Sequence, residues 1–264
     1  MAPNPPRPVN NAFYDALDER WYCANDDPIA LLRAESVCRA PFVAEKIRQT
    51  LGTRPVRVLD VGCGAGFLTN ALAKFGHQVT GIDASTASLA VAARHDDTGK
   101  VSYMAGDALA LPFSDGSFDA VCAMDLLEHL ESPGVVVAEA ARVLAPGGLF
   151  FFHTFNRNLL AWLVVIKGVE WFVRNTPKDL HVLRLFLKPA EVRTMCARNG
   201  LRVLDMLGFV PVLRSRRFVR LLATGTIPEH FEFRFTKSTR IAYTGVATKE
   251  ASRADSPAPA GLES

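Results

Sequence analysis

The stretch "MDLLEHL" (124–130) sets Asp125, Glu128 and His129 within one short piece of chain. If it is helical, the i, i+3 and i+4 spacing puts two carboxylates and an imidazole on one face. Such an oxygen-rich set can converge on one divalent cation, Mg2+ or Mn2+ in preference to a thiolate-bound metal. The same residues can also act without a metal, with His129 as general base and Glu128 beside it. A third possibility is that His129 only packs and orients a helix. Spacing alone leaves all three open.

A second group surrounds "LDVGCGAGFL" (59–68), where Gly62, Gly64 and Gly66 follow a short β-branched run. Glycine lets the backbone turn tightly and approach a ligand closely, and the helix that follows offers free N–H groups. Dinucleotide folds carry G-x-G-x-x-G at this place; here the third glycine comes one residue early and Phe67 holds its slot. Asp60 either contacts the ligand or closes the turn through hydrogen bonds. Asp83, ending "TGID", can accept both hydroxyls of a ribose or cap the next helix, a role open to Ser85 as well. Asp107 in "AGDALALPF" either meets an adenine edge or shapes a loop, and Met124 either contacts adenine or packs.

These residues need a scaffold that gathers strand ends. "VRVLDVG", "HQVTGID", "VSYMAGD", "FDAVCAMD" and "GLFFFHT" read as five strands separated by helical pattern, which predicts a doubly wound parallel α/β sheet over residues 56–154. Ligands bind such sheets at the carboxyl ends of the strands. Helical spacing over 11–22 and 29–50 predicts an N-terminal cap (11–55). After the core come an apolar segment, a helix from Pro189 that stops at Gly200, and the strands "LRVLDMLGF" and "RIAYTGVAT". The last two suggest an antiparallel pair closing a seven-stranded sheet, so residues 192–249 complete one domain spanning 11–249. Pro-rich 1–10 reads as a flexible tail, and Ser/Pro/Ala-rich 250–264 as a disordered one.

With 264 residues and 49% hydrophobic composition, the chain can bury a full core. A net charge of +3, with no Lys/Arg block along a helix or loop, argues against nucleic acid as a partner. Arg214, Arg216, Arg217 and Arg220 form the one local basic cluster, either a solvated face or a contact with anionic lipid. Five cysteines without a C-x-x-C pair indicate neither a disulfide framework nor a zinc site and fit a reducing cytosol. "MAPNPPRPVN" has no apolar core of a secretory signal. The apolar run 159–173 contains Lys167 and Glu170 and is shorter than the roughly 20 residues needed to span hydrocarbon. Lys167, Glu170 and Arg174 would make one narrow polar stripe on a helix that is either buried or lies on a membrane.

The glycine turn, Asp83, Asp107 and "VLAPGG" (143–148) resemble class I S-adenosylmethionine-dependent methyltransferases over residues 56–154. That resemblance implies S-adenosylmethionine as methyl donor. "FNRNLLAWLVVIKGVEWFVRNTPKDLHVLRLFLKPAE" (155–191) resembles the insertion of the ubiquinone-pathway O-methyltransferases, which methylate polyprenyl catechol and demethylubiquinol intermediates. With "RAPFVAEKI" ahead of the first strand, the likeness covers about 36–210. It implies that Arg39, Gly62, Asp83 and Met124 contact the donor. It also places Asp125, Glu128 and His129 on the family's metal motif E-x-x-E-H, with Asp125 one methylene shorter than the family's residue. The insertion would lie in the membrane surface with Leu159, Trp162, Leu163, Val165, Ile166, Trp171 and Phe172 at the headgroup boundary. Lys167, Arg174, Lys178, Arg184 and Lys188 would give it a cationic bias; a core or dimer helix is the alternative. The resemblance thus implies a cytoplasmic enzyme held peripherally at the inner face of the membrane, alone, as a homo-oligomer or in a quinone-biosynthesis complex. Rival functions are a methyltransferase of a soluble phenol or amine and a non-catalytic S-adenosylmethionine-binding partner. Past residue 210 the likeness fades, and "TGTIPEHFEFRFTKS" has no assigned role.

Overall fold

The computed structural model of the chain describes residues 12–250. The two expected tails lie outside these residues apart from Glu250, whose amide donates to the Gly200 carbonyl. The N-terminal cap begins with two short helices, α1 (Ala12–Asp15) and α2 (Arg20–Cys23), in place of the single expected run. Asp18 separates them in a left-handed conformation (φ 40°), which ends helical propagation. The long helix α3 (Ile29–Leu51) follows.

The core is then β1 (Arg57–Val61), α4 (Phe67–Lys74), β2 (Gln78–Asp83), α5 (Thr86–Arg94), β3 (Ser102–Ala105), β4 (Phe118–Met124), α6 (Pro133–Val143) and β5 (Leu144–Phe155). β3, β2, β1, β4 and β5 pair in parallel in that spatial order. Phe150, Phe151 and Phe152 are consecutive and all fully buried. A strand covered on both faces has no reason to alternate, and this one has helices on each side. Phe151 packs on the face held by α3 and α4, through Val43, Ile47, Leu68 and Leu72. Phe150 and Phe152 pack on the other, with Val136 and Val137 of α6.

The insertion consists of α7 (Leu159–Ala161), π-helical turns over Trp162–Gly168, and α8 (Val169–Phe172). Next come α9 (Pro189–Arg198), β6 (Leu201–Pro211), α10 (Arg216–Thr224), β7 (Phe233–Thr236) and β8 (Ala242–Lys249). β8 lies antiparallel between β5 and β6, and β7 forms an antiparallel edge against the end of β6. The sheet therefore has eight strands, one more than expected. β7 is four residues long, "FRFT", too short to give a periodic signal of its own, and it forms because β6 extends to Pro211 and offers it a partner.

The insertion also differs from its expected orientation. Ala161, Val165 and Ile166 are buried against Phe155, Phe186, Phe209 and Ala242, with Trp162 half-buried on the same cluster. Val165, Ile166 and Trp162 therefore hold the segment to the domain. Leu159, Leu160, Leu163, Trp171 and Phe172 are its exposed apolar residues. No helix among the described residues is long and apolar enough to cross a membrane.

Candidate active site

Tight backbone geometry at the end of β1 shapes one end of the site. Gly62, Gly64 and Gly66 have φ of 71°, 51° and 80°, a region that strains any residue with a Cβ. At Gly66 an added Cβ would also lie 2.4 Å from the Tyr103 hydroxyl oxygen, so the turn has no room for a side chain. The amides of Gly62 and Cys63 donate to the Ile82 carbonyl, which ties the turn to β2.

Asp83 ends β2 beside this turn. One of its oxygens accepts from the Gly64 amide (2.8 Å) and the other from the Ser85 amide (2.8 Å). Each oxygen keeps a further lone pair, and the residue lines the cavity. Burial pushes the carboxyl up and those two amides pull it back. The helix-capping role falls to Ser85, whose hydroxyl accepts from the Ser88 amide. Asp60 lies deeper, 3% exposed, accepting from the Thr69 hydroxyl at 2.6 Å, and burial raises it to about 7. Asp107 accepts from the Leu109 amide, so it shapes its loop while also facing the cavity. Met124 is half-buried on the cavity wall.

The opposite wall carries the ionic groups. Asp125 adopts φ 55°, and its amide donates to the His153 carbonyl, so the chain turns sharply as β4 ends. This turn aims the carboxylate at Arg39 of α3, at 2.5 Å. Arg39 is 3% exposed, also grips Glu35 one helical turn earlier, and stands over the Phe209 ring. Burial raises both carboxyls and the guanidinium lowers both. His153, fully buried, bonds the Thr244 hydroxyl through Nδ1 and lies with Nε2 3.6 Å from Asp125.

The expected convergence of Asp125, Glu128 and His129 does not form. Asp125 is in a left-handed turn outside any helix, and only Leu127–His129 is helical, as a 3-10 turn that lacks the α-helical angular spacing. Asp125 points to Arg39. Glu128 is fully buried, neither oxygen has a hydrogen-bond partner among the described residues, and it does not line the cavity. Burial, and after it the charge of Asp125, pushes its carboxyl up to about 8. His129 alone of the three faces the cavity without an ionic partner. Its Nδ1 is buried with no partner among the described residues, and burial lowers it to about 4. Among the described residues, the group of acid and imidazole atoms that lie within 4.8 Å of one another belongs to Glu35, Asp125 and His153, and Arg39 already occupies the two acids. The expected metal triad therefore does not fit a divalent cation in this arrangement.

All of this opens into one cavity of about 810 Å3. That is toward the upper end of the roughly 300–1,000 Å3 usual for ligand pockets. Gly64, Asp83 and Asp107 line one end; Leu163, Trp171 and Phe172 of the insertion and Leu213, Phe218 and Leu222 of the 211–231 segment line the other. Several lining residues were not among the expected ones. Tyr14 stands edge-on to His129, and His181 is 5.4 Å from the same ring, lowered to about 3 by burial and then by His129. Glu35 was detectable as the i−4 partner of Arg39; His153 and Tyr14 carried no local signal, since only tertiary packing brings them here.

A family model described as "Methyltransferase domain" matches residues 59–152. The chain is 37% identical over 171 residues to a ubiquinone biosynthesis O-methyltransferase of Nitrosococcus oceani, covering 64% of this chain and 72% of that protein. It is also 37% identical over 199 residues to the protein of the same name from Coxiella burnetii, covering 74% and 82%. Among solved structures, magnesium protoporphyrin IX methyltransferase from Synechocystis PCC 6803, with bound SAH, superposes with a TM-score of 0.57 at 20% identity. The match covers 82% of this chain and 84% of that one, and at this identity it speaks for the fold.

Proposed function

The chain belongs to the ubiquinone biosynthesis O-methyltransferase family, and from that premise we propose that it methylates a ring hydroxyl of a polyprenylated catechol or demethylubiquinol at a membrane surface. It is an S-adenosylmethionine-dependent methyltransferase. The observation that carries the substrate assignment is the continuity of the cavity, polar at the glycine turn and apolar between the insertion and residues 211–231. A prenyl chain has no hydrogen bonds to satisfy and gains from burying its length along such a wall.

Bound at the glycine turn, S-adenosylmethionine supplies a methyl group on a positively charged sulfonium. In this reading Asp83 holds ribose hydroxyls with its free lone pairs, and Asp107 and Met124 border the adenine. Asp60 supports the turn from below through Thr69. Arg39 is a positioning residue whose partners, Glu35 and Asp125, fix the wall against which the donor sits. Rate then depends on alignment of donor and acceptor and on removal of the phenolic proton. His129 takes that proton. Burial, which lowers it to about 4, keeps it neutral on the cavity wall and also weakens it as a base, so in this reading the proton leaves in step with methyl transfer rather than before it. Glu128 has no direct part, being enclosed in the core.

A divalent cation is not needed in this reading, because Arg39 already supplies positive charge between the two acids. Turnover of a prenylated catechol, followed as S-adenosylhomocysteine release with and without chelator, tests both points. The expected result is a chelator-resistant rate and a KM for the prenylated catechol well below that of a short water-soluble one. Loss of turnover in chelator, restored by Mg2+, would move proton removal away from unaided His129. Equal KM values would favour a soluble phenol as substrate.

A further inference from the structure

Residues 211–231 form the lip of the cavity opposite the insertion, and they carry a pattern that the chemistry at the glycine turn does not use. α10 is capped by Ser215, whose hydroxyl accepts from the Phe218 amide, and ends at Gly225 in the left-handed conformation. At 100° per residue, Phe218, Val219, Leu221 and Leu222 fall on one side and Arg216, Arg217 and Arg220 on the other. Leu221 is buried with Ala30, Val173, Ile227 and Phe231, which fastens the helix to α3 and to the end of the insertion. The Arg174 amide donates to the Gly225 carbonyl at 3.0 Å, joining the two lips covalently distant in sequence.

Beyond that anchor the apolar side continues into solvent. Val219 is 62% exposed, Leu213 59% and Leu222 42%; Trp171 at 65% and Phe172 at 42% belong to the insertion, and Leu213, Leu222, Trp171 and Phe172 all line the same cavity. A contiguous apolar rim of this kind around a cavity mouth marks a surface meant to be covered. Arg217 pairs with Glu232; Arg214, Arg216 and Arg220 have no ion-pair partner among the described residues and border the apolar rim.

We propose that α10 and the turn before it are a second, cationic membrane-binding lip that docks on an anionic phospholipid surface. Leu213, Val219 and Leu222 enter the headgroup boundary while Arg214, Arg216 and Arg220 meet lipid phosphates. Three arginines without an ion-pair partner among the described residues, beside exposed leucine and valine, complement a bilayer that is anionic at its surface and apolar beneath. The proposal deepens the assignment of a prenylated acceptor, since a mouth pressed against lipid receives that acceptor directly, and it rests on that assignment for its purpose only.

The test is flotation of the full chain with phosphatidylcholine vesicles, with and without phosphatidylglycerol. The wild type should bind the anionic vesicles, less so as salt rises. Each arginine near an anionic surface is worth about 1 kcal/mol, or roughly fivefold in partition. Arg214→Gln with Arg216→Gln and Arg220→Gln should therefore lower binding about a hundredfold, and the triple lysine variant should restore most of it. Val219→Glu should also reduce binding. None of these residues lines the cavity, so turnover of a short water-soluble catechol should stay unchanged, which shows that the variants fold. Wild-type-like flotation of the triple glutamine variant would overturn the proposal, as would equal binding to neutral vesicles. A dimer in sedimentation that Val219→Glu dissociates, with no vesicle binding, would assign the lip to a second copy instead. Failure to turn over prenylated catechol in detergent would count against the substrate reading and leave the flotation result standing.

Discussion

Replacing Arg39 by Met tests the ionic wall most directly. The side chain is 3% exposed and is the cation between Glu35 and Asp125, so Met keeps much of the volume and leaves two largely enclosed acids facing each other with no cation between them. Breaking a buried ion pair from one side costs about 3–5 kcal/mol. The loss must depend on pH. In the native chain burial raises both carboxyls and Arg39 lowers them; in the variant the lowering is gone. Their folded-state values then lie above those of the wild type, which burial already raises, so the folded variant holds more protons than the folded wild type. Relative to wild type, the loss should therefore open as pH rises through the wild-type folded values, about 8 for Glu35, and shrink on acidification below them. Urea denaturation reads this at about pH 9 and about pH 6, on either side of the Glu35 value. With a slope of about 3 kcal/mol/M, a loss of about 4 kcal/mol lowers the midpoint by about 1.3 M at the higher pH. At the lower pH the shift should be clearly smaller, and Arg39→Lys should recover part of it. A shift under about 0.3 M, or one equal at the two pH values, would refute a buried charge cluster at this place.

Asp83→Ala removes an acceptor of two backbone amides and two candidate ribose bonds. At about 1.5–3 kcal/mol per bond to a charged group, calorimetry should show S-adenosylhomocysteine binding weakened at least a hundredfold. Gly66→Ala forces a Cβ into the Tyr103 hydroxyl and disturbs its 2.6 Å hydrogen bond to Asn70. A loss of about 2 kcal/mol or more is expected from the left-handed backbone and that bond together, seen as a lower Tm. His129→Asn should lower kcat by about 10²–10⁴. In the wild type, kcat/KM should show no inflection near 6.5, with the acidic limb near 4; a limb at 6.5 would mean that His129 is solvated. The same depression sets a stability trend: the histidine pair His129 and His181 contributes stability present above about 6.5 and lost as pH falls toward 3–4, where both take up protons.

Much of the donor end was legible because it depends on backbone chemistry encoded locally. Glycines at a strand end, an aspartate closing the next strand and alternating strand and helix patterns each act through neighbours in the chain. The sheet core and the long helix over 29–51 follow from the same local periodicity. Local spacing does not reveal the left-handed residue Asp125. One positive φ took Asp125 out of helical register, and the i, i+3, i+4 geometry expected of "MDLLEHL" went with it. Composition marks the insertion as an apolar segment too short to span, while which of its faces is exposed depends on Phe155, Phe186 and Phe209 reaching it from other elements.

By itself, then, the amino-acid order determined the wound sheet, the tight turn for the donor, and the presence of a short greasy segment with charges in it. Only the tertiary structure decided that Arg39 sits between Glu35 and Asp125, that Glu128 is enclosed while His129 faces the cavity, and that residues 211–231 complete the mouth with an eighth strand at its base. The physical reason is range. Propensity, turn chemistry and periodicity act over a few residues, whereas burial and charge pairing depend on which distant surfaces close over a side chain, and that is set when the layers pack.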